Sequence, residues 1–108
     1  MGREIRMTQV TAMVLRAVAA GRRYGFDVME ACGLPSGTAY PALRRLEGAG
    51  LLRSTWENDD DARVAGRPRR RIYAVTDRGR AALPAAEARL ARARERLADL
   101  PTTSPGEA

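Results

Sequence analysis

Arginine dominates whatever chemistry this chain can perform. Arg44 and Arg45 stand side by side, and Arg67, Arg69, Arg70 and Arg71 put four guanidinium groups into five positions around Pro68. A guanidinium donates paired hydrogen bonds to phosphate and carboxylate groups, so such clusters point to recognition of a polyanion. The 19 basic residues, every one an arginine, outnumber 13 acidic ones and give a net charge of +6. GC-rich coding accounts for arginine in place of lysine, but not for the excess of positive charge.

Catalytic chemistry finds little here. The chain has no histidine and one cysteine, which removes the commonest zinc sites, imidazole acid–base catalysis and histidine triads. No catalytic residue, metal or cofactor is expected. Cys32 has no partner for an internal disulfide, in keeping with a reducing cytoplasm. It reads as a small buried apolar residue, with redox sensing as the alternative. No apolar run approaches the roughly 20 residues needed to cross a bilayer, and Met1 to Arg6 lacks a signal peptide's apolar stretch.

The elements that must carry these arginines follow from periodicity. Val10, Met13, Val14, Ala17 and Val18 recur at helical spacing, with Thr8 as N-cap. A second helix spans about Gly25 to Cys32, burying Phe26, Val28, Ala31 and Cys32, and Gly33-Leu34-Pro35 breaks it. A third runs from about Ser36 to Ala49 with Ala39, Leu43 and Leu46 inward. Pro41 suits a first turn, so Thr38 is preferred as cap, with Ser36 and Gly37 as a lead-in. Leu51–Glu57 and Arg69–Val75 read as strands joined by a polar loop through Asp59-Asp60-Asp61. Trp56 is expected to cap this hairpin against the core, with ligand stacking as the alternative. A helix from Asp77 to Leu100 follows, in which Pro84 predicts a kink or a delayed regular start. The expected fold is mainly α with a small β-hairpin: a winged helix-turn-helix over residues 1–76, a dimerisation helix over 77–100 and a disordered tail over 101–108.

Several blocks now stand in order: Tyr24-Gly25-Phe26, then Gly37 to Glu47 with Tyr40-Pro41-Ala42-Leu43 at its centre, then Gly50-Leu51-Leu52. Gly66-Arg67-Pro68 and Tyr73-Ala74-Val75-Thr76 come next, with Gly79 three residues on. Together they resemble the PadR family of bacterial transcriptional regulators over roughly Val10 to Leu83. The resemblance implies a winged-helix homodimer, usually a repressor, of the short branch whose terminal part is one helix. It also implies a phosphate contact for Tyr24, for which core packing is the rival reading.

Within that frame, double-stranded DNA is the expected partner. Arg44 and Arg45 project from the third helix away from its leucines, where arginine can reach guanine or phosphate. Ser36 and Thr38 lie at its N-terminal end, where amides and hydroxyls meet phosphate. For Tyr40, packing and a phosphate contact weigh equally. Arg67, near the wing tip, is expected to contact minor groove or backbone. Strand alternation sends Arg69 and Arg71 to one face and Arg70 to the other. The acidic triplet must point away from DNA, most simply as a solubilising loop that blocks edge pairing.

Leu83, Leu90 and Leu97 are seven apart, with Ala86, Ala93 and Leu100 three positions after each. That stripe suits pairing with a second copy across a two-fold axis, and equally a helix folded back on its own domain. The function expected is a sequence-specific DNA-binding regulator, a repressor released by a small-molecule effector or another signal. The alternative is an adaptor whose basic face binds an acidic protein.

Overall fold

The computed structural model describes residues 5–102. Five helices and two strands follow in the order α1 (Gln9–Ala19), α2 (Gly25–Cys32), α3 (Ser36–Gly48), β1 (Leu52–Trp56), α4 (Asp59–Val64), β2 (Arg71–Val75) and α5 (Asp77–Ala98). Thr8 caps α1 as expected and forms a reciprocal capping box: Thr11 N–H donates to Thr8 Oγ1 at 3.2 Å, and Thr8 N–H donates to Thr11 Oγ1 at 2.8 Å. The buried side of α1 is wider than its periodicity suggested. Ala12, Val14, Leu15, Ala17 and Val18 are all buried because α2, α3 and α5 pack around the helix.

Gly33 ends α2 in the left-handed region at φ 66°, where a Cβ would be strained. Only part of the expected inner face of α2 is inside. Val28 is buried and Cys32 half-buried against the Met13 carbonyl, while Ala31 and Phe26 are exposed, Phe26 by 56%. A helix of eight residues offers a narrow stripe to the core, and Val28 fills it.

The start of α3 also departs from expectation. Pro35, not Thr38, is the N-cap, and Thr38 and Ala39 amides donate to its carbonyl at 3.0 and 2.9 Å. The left-handed turn at Gly33 and the extended backbone of Pro35 launch the helix early, leaving Pro41 in the second turn without an amide to donate. Ala39, Ala42, Leu43 and Leu46 hold the helix, each fully buried.

The hairpin is antiparallel with Leu52 opposite Val75, Ser54 opposite Tyr73 and Trp56 opposite Arg71. Leu52 and Tyr73 are the buried residues of that face. On the other side of β2, Tyr24 bridges to Ile72, and Tyr73 N–H donates to the Arg23 carbonyl at 2.7 Å. The connection between strands is not a loop throughout. Asn58 caps α4 by accepting from the Asp60 amide at 2.7 Å, and Asp59, Asp60 and Asp61 fill its first turn. Carboxylates are favoured there by the helix dipole.

Helix α5 runs unbroken through Pro84 from its Thr76 cap, so the expected delay does not occur. Pro84 is exposed and has no amide to donate to the Arg80 carbonyl one turn back. The first half of α5 lies on α1. Ala86 is fully buried, Leu83 and Leu90 pack against the core, and Glu87 pairs with Arg16 at 2.8 Å. Half the seven-residue stripe is therefore occupied within the subunit, a correction to its assignment to a partner. Ala93 is half-buried, while Leu97 and Leu100 are 67% and 61% exposed. Beyond the helix Pro101 and Thr102 are exposed coil, and the tail expected from 103 to 108 lies outside the described residues. No helix among the described residues is long and apolar enough to cross a membrane. The architecture is a winged helix-turn-helix with a small hairpin and a long C-terminal helix.

Candidate nucleic-acid interface

Helix α3 presents Arg44 and Arg45 outward, both exposed, while its buried side is anchored in the core. Among the described residues no carboxylate forms an ion pair with either. At the N-terminal end Ser36 is exposed and Thr38 half-buried, and no side chain caps the helix. The Ser36 and Gly37 amides, which have no acceptor among the described residues, are therefore open to an anion.

Between α3 and the hairpin runs a groove lined by aromatic and basic side chains, among them Tyr24, Phe26, Tyr40, Arg44, Arg70 and Arg71. Gly25 makes it possible. A Cβ there would stand 2.4 Å from Tyr40 Cε1, so only glycine lets the Tyr40 ring lie across the start of α2. Tyr40 is thus a packed aromatic that also borders the groove. Tyr24 is half-buried at the edge of the groove and carries the Arg70 guanidinium over its ring at 3.6 Å.

Arg71 and Phe26 belong to this surface although the residue pattern did not single them out as contacts. Arg71 Nε donates to Ser54 Oγ at 2.9 Å, and Ser54 Oγ donates to Glu47 Oε2 at 2.6 Å. This chain ties β2 through β1 to the end of α3, fixing the wing relative to the helix. Trp56, expected against the core, is 55% exposed instead. It ends β1 beyond the reach of the helices, and Arg69 and Arg71 flank its ring at 5.4 and 4.9 Å. Two such cation–π contacts at an exposed site contribute about 0.5–1 kcal/mol each.

The wing arginines divide into two groups. Arg69 is exposed and pairs with Asp59 at 2.9 Å. Arg67 and Arg70 instead converge on Glu57, which is only 6% exposed. Arg67 donates to both carboxylate oxygens, at 2.7 Å for the Nη2–Oε2 bond, and Arg70 adds its amide at 3.3 Å and its guanidinium at 3.4 Å. Arg67, expected free at the wing tip, is thus held at the base of α4. The six-residue helix inserted between the strands carries the tip elsewhere.

The paired donors of Arg67 hold the Glu57 carboxyl down at about 2, against partial opposition from burial and with help from Arg70. An acid with a depressed pKa contributes its stability fully above the ordinary glutamate value near 4.5 and loses it as pH falls toward 2. The expected result is a change in Trp56 emission between those pH values, since the only tryptophan adjoins Glu57. Glu57→Gln abolishes that step. A step that survives in the variant assigns it to other carboxylates.

Comparison with known proteins bears on the fold and the family. No curated protein matches the sequence. The structure is similar to a PadR family transcription regulator from Clostridium difficile, 20% identical with a TM-score of 0.66, covering 82% of this chain and 94% of that one. A PadR family regulator from Eggerthella lenta is 28% identical with a TM-score of 0.57, covering 86% of this chain and 87% of that one. A MarR family regulator from Silicibacter pomeroyi shares the fold at 20% identity and a TM-score of 0.61, over 88% of this chain and 60% of that one. The model of the transcriptional regulator PadR-like family matches residues 14–85, two-thirds of the sequence. The chain belongs to the PadR-like family of transcriptional regulators.

Proposed function

We propose that the chain binds double-stranded DNA sequence-specifically as a cytoplasmic homodimer and represses transcription from a pseudo-palindromic operator. The observation that carries this reading is the pair Arg44 and Arg45: exposed on a core-anchored helix, unpaired with any described carboxylate, and beside a wing locked to that helix through Ser54. A helix of this diameter fits the major groove, and arginine there reads guanine through O6 and N7. Ser36, Thr38 and Tyr40 then approach the backbone, with Arg69 and Arg71 on the wing. Arg67, Arg70 and Tyr24 position the wing rather than reach outward.

The homodimer rests on two exposed leucines, Leu97 in the last turn of α5 and Leu100 just beyond the helix end. Burying both against a second copy, with Ala93 allowing close approach, removes apolar surface the subunit cannot cover alone. In this division residues 1–76 form the reading domain, and residues from 77 onward add a brace on α1 before the dimer contact.

Salt-titrated gel shifts test the proposal. Wild-type protein should bind a palindromic duplex selected from genomic fragments more tightly than random duplex, with log K falling linearly against log salt. No binding at about 50 mM salt overturns it. Binding to an acidic protein but to no duplex identifies an adaptor instead.

A further inference from the structure

The segment entering α1 lies along the recognition helix. Ile5 and Met7 both pack against the core, and alternation between them sends Arg6 outward, where it is exposed. Its backbone is pinned. The Arg6 carbonyl accepts from the Thr8 amide at 3.0 Å and from Thr11 Oγ1 at 3.3 Å, so the Thr8–Thr11 capping box fixes this residue as well as the helix start. The outcome is an open cleft lined by Arg6, Arg44 and Arg45, with Ile5, Pro41 and Ala49 among its walls. Among the described residues no carboxylate lines it, and none pairs with any of the three arginines.

Three guanidiniums facing one cleft repel one another unless an anion sits among them. The cleft is distinct from the aromatic groove on the wing side of α3, and Arg44 borders both. Helix α3 is therefore bracketed, by Arg71 of the wing on one side and by Arg6 on the other. A helix about 10–12 Å across in a major groove about 12 Å wide leaves its flanks close to the phosphates of the two strands.

We propose that Arg6 is a DNA-backbone clamp, binding a phosphate in the cleft it shares with Arg44 and Arg45. The proposal rests on the DNA-binding reading above and adds a contact outside the helix-turn-helix and wing. The contact is to backbone, so it strengthens binding without choosing sequence.

Full-length Arg6→Ala and Arg6→Lys are compared with wild type on the selected palindrome and on random duplex, across a salt series. Arg6→Ala should flatten the slope of log K against log salt by about 0.9 for each subunit bound. Its affinity should drop by a similar factor on both duplexes, leaving their ratio intact, and Arg6→Lys should restore the slope. An unchanged melting temperature shows that the exposed side chain was removed without harm to the fold. If Arg6→Ala keeps the wild-type slope while Arg45→Ala binds poorly, the clamp is overturned and the DNA-binding reading stands. A changed ratio between duplexes also overturns it, by making Arg6 a base reader. Failure of wild type to bind any duplex removes both readings together.

Discussion

Gly79→Ala should lower the melting temperature by more than any other alanine substitution at a glycine in this chain. A Cβ on Gly79 would stand 2.1 Å from the Leu51 carbonyl oxygen and 2.6 Å from Val75 Cγ1. The valine can rotate, but the carbonyl cannot retreat freely because it accepts the Thr76 amide at 3.1 Å. Thr76 is committed in turn: its hydroxyl donates to the Gly50 carbonyl at 2.6 Å and accepts the Gly79 amide at 3.0 Å to cap α5. One methyl group thus pushes on the junction where hairpin, cap and terminal helix meet. Overpacking against side chains costs about 1–3 kcal/mol, and backbone is less yielding, so about 3 kcal/mol or more is expected. At about 4–8 °C per kcal/mol for a chain near this size, the melting point falls by at least ~10 °C. Gly37→Ala is the control, since a Cβ there meets nothing within 4 Å. It should be neutral or stabilising by up to about 1 kcal/mol. Equal melting temperatures for the two variants would show that α5 can shift off Leu51, and the junction would not be rigid.

Which features could be read from residue order depended on how far their causes lay along the chain. Local ones were legible: the Thr8 cap, the Gly33 stop and the inward leucines of α3 all arise within one or two turns. Arg44 and Arg45 face outward for the same reason, because their neighbours Leu43 and Leu46 must face inward. Helix α4 carried a local signal too, Asn58 followed by three aspartates, but an acidic run between strands resembles a solvated loop. That misreading displaced Arg67, which seemed to stand at a tip and instead pairs with Glu57. A glutamate at the end of the first strand gave no hint of its burial, where Arg67 and Arg70 converge on it.

The remaining departures are tertiary. Phe26 has the residue type of a core position, yet the side of α2 that meets the core is the one carrying Val28 and Cys32. Trp56 lies too far out on the hairpin for the helices to cover. The stripe Leu83, Ala86 and Leu90 has the spacing of a pairing helix, and such spacing is blind to which surface it meets. Here α1 of the same subunit meets it first. Arg6 went unnoticed because a lone arginine before a helix cap has no pattern; only the fold brings it beside α3.

Arg45→Ala should cost sequence discrimination more than it costs binding. Arg45 rises from the second half of α3, exposed, on a helix held in place by the buried Ala42 one turn before it and Leu46 beside it. A guanidinium so placed, in a groove, can donate two bonds to one guanine, and a good bidentate pair distinguishes the right base by about 1–3 kcal/mol. Truncation should therefore lower affinity for the selected palindrome by about 5- to 150-fold per half-site, while random duplex loses only the phosphate attraction of one charge. The opposite pattern is expected of Arg71→Ala, since that side chain belongs to the wing, where it leans on Trp56 and Ser54. Measured together, the two variants separate reading from holding. Equal losses on palindrome and random duplex for Arg45→Ala would make it a phosphate ligand, and base recognition would then have to come from Arg44 or from the shape of the site.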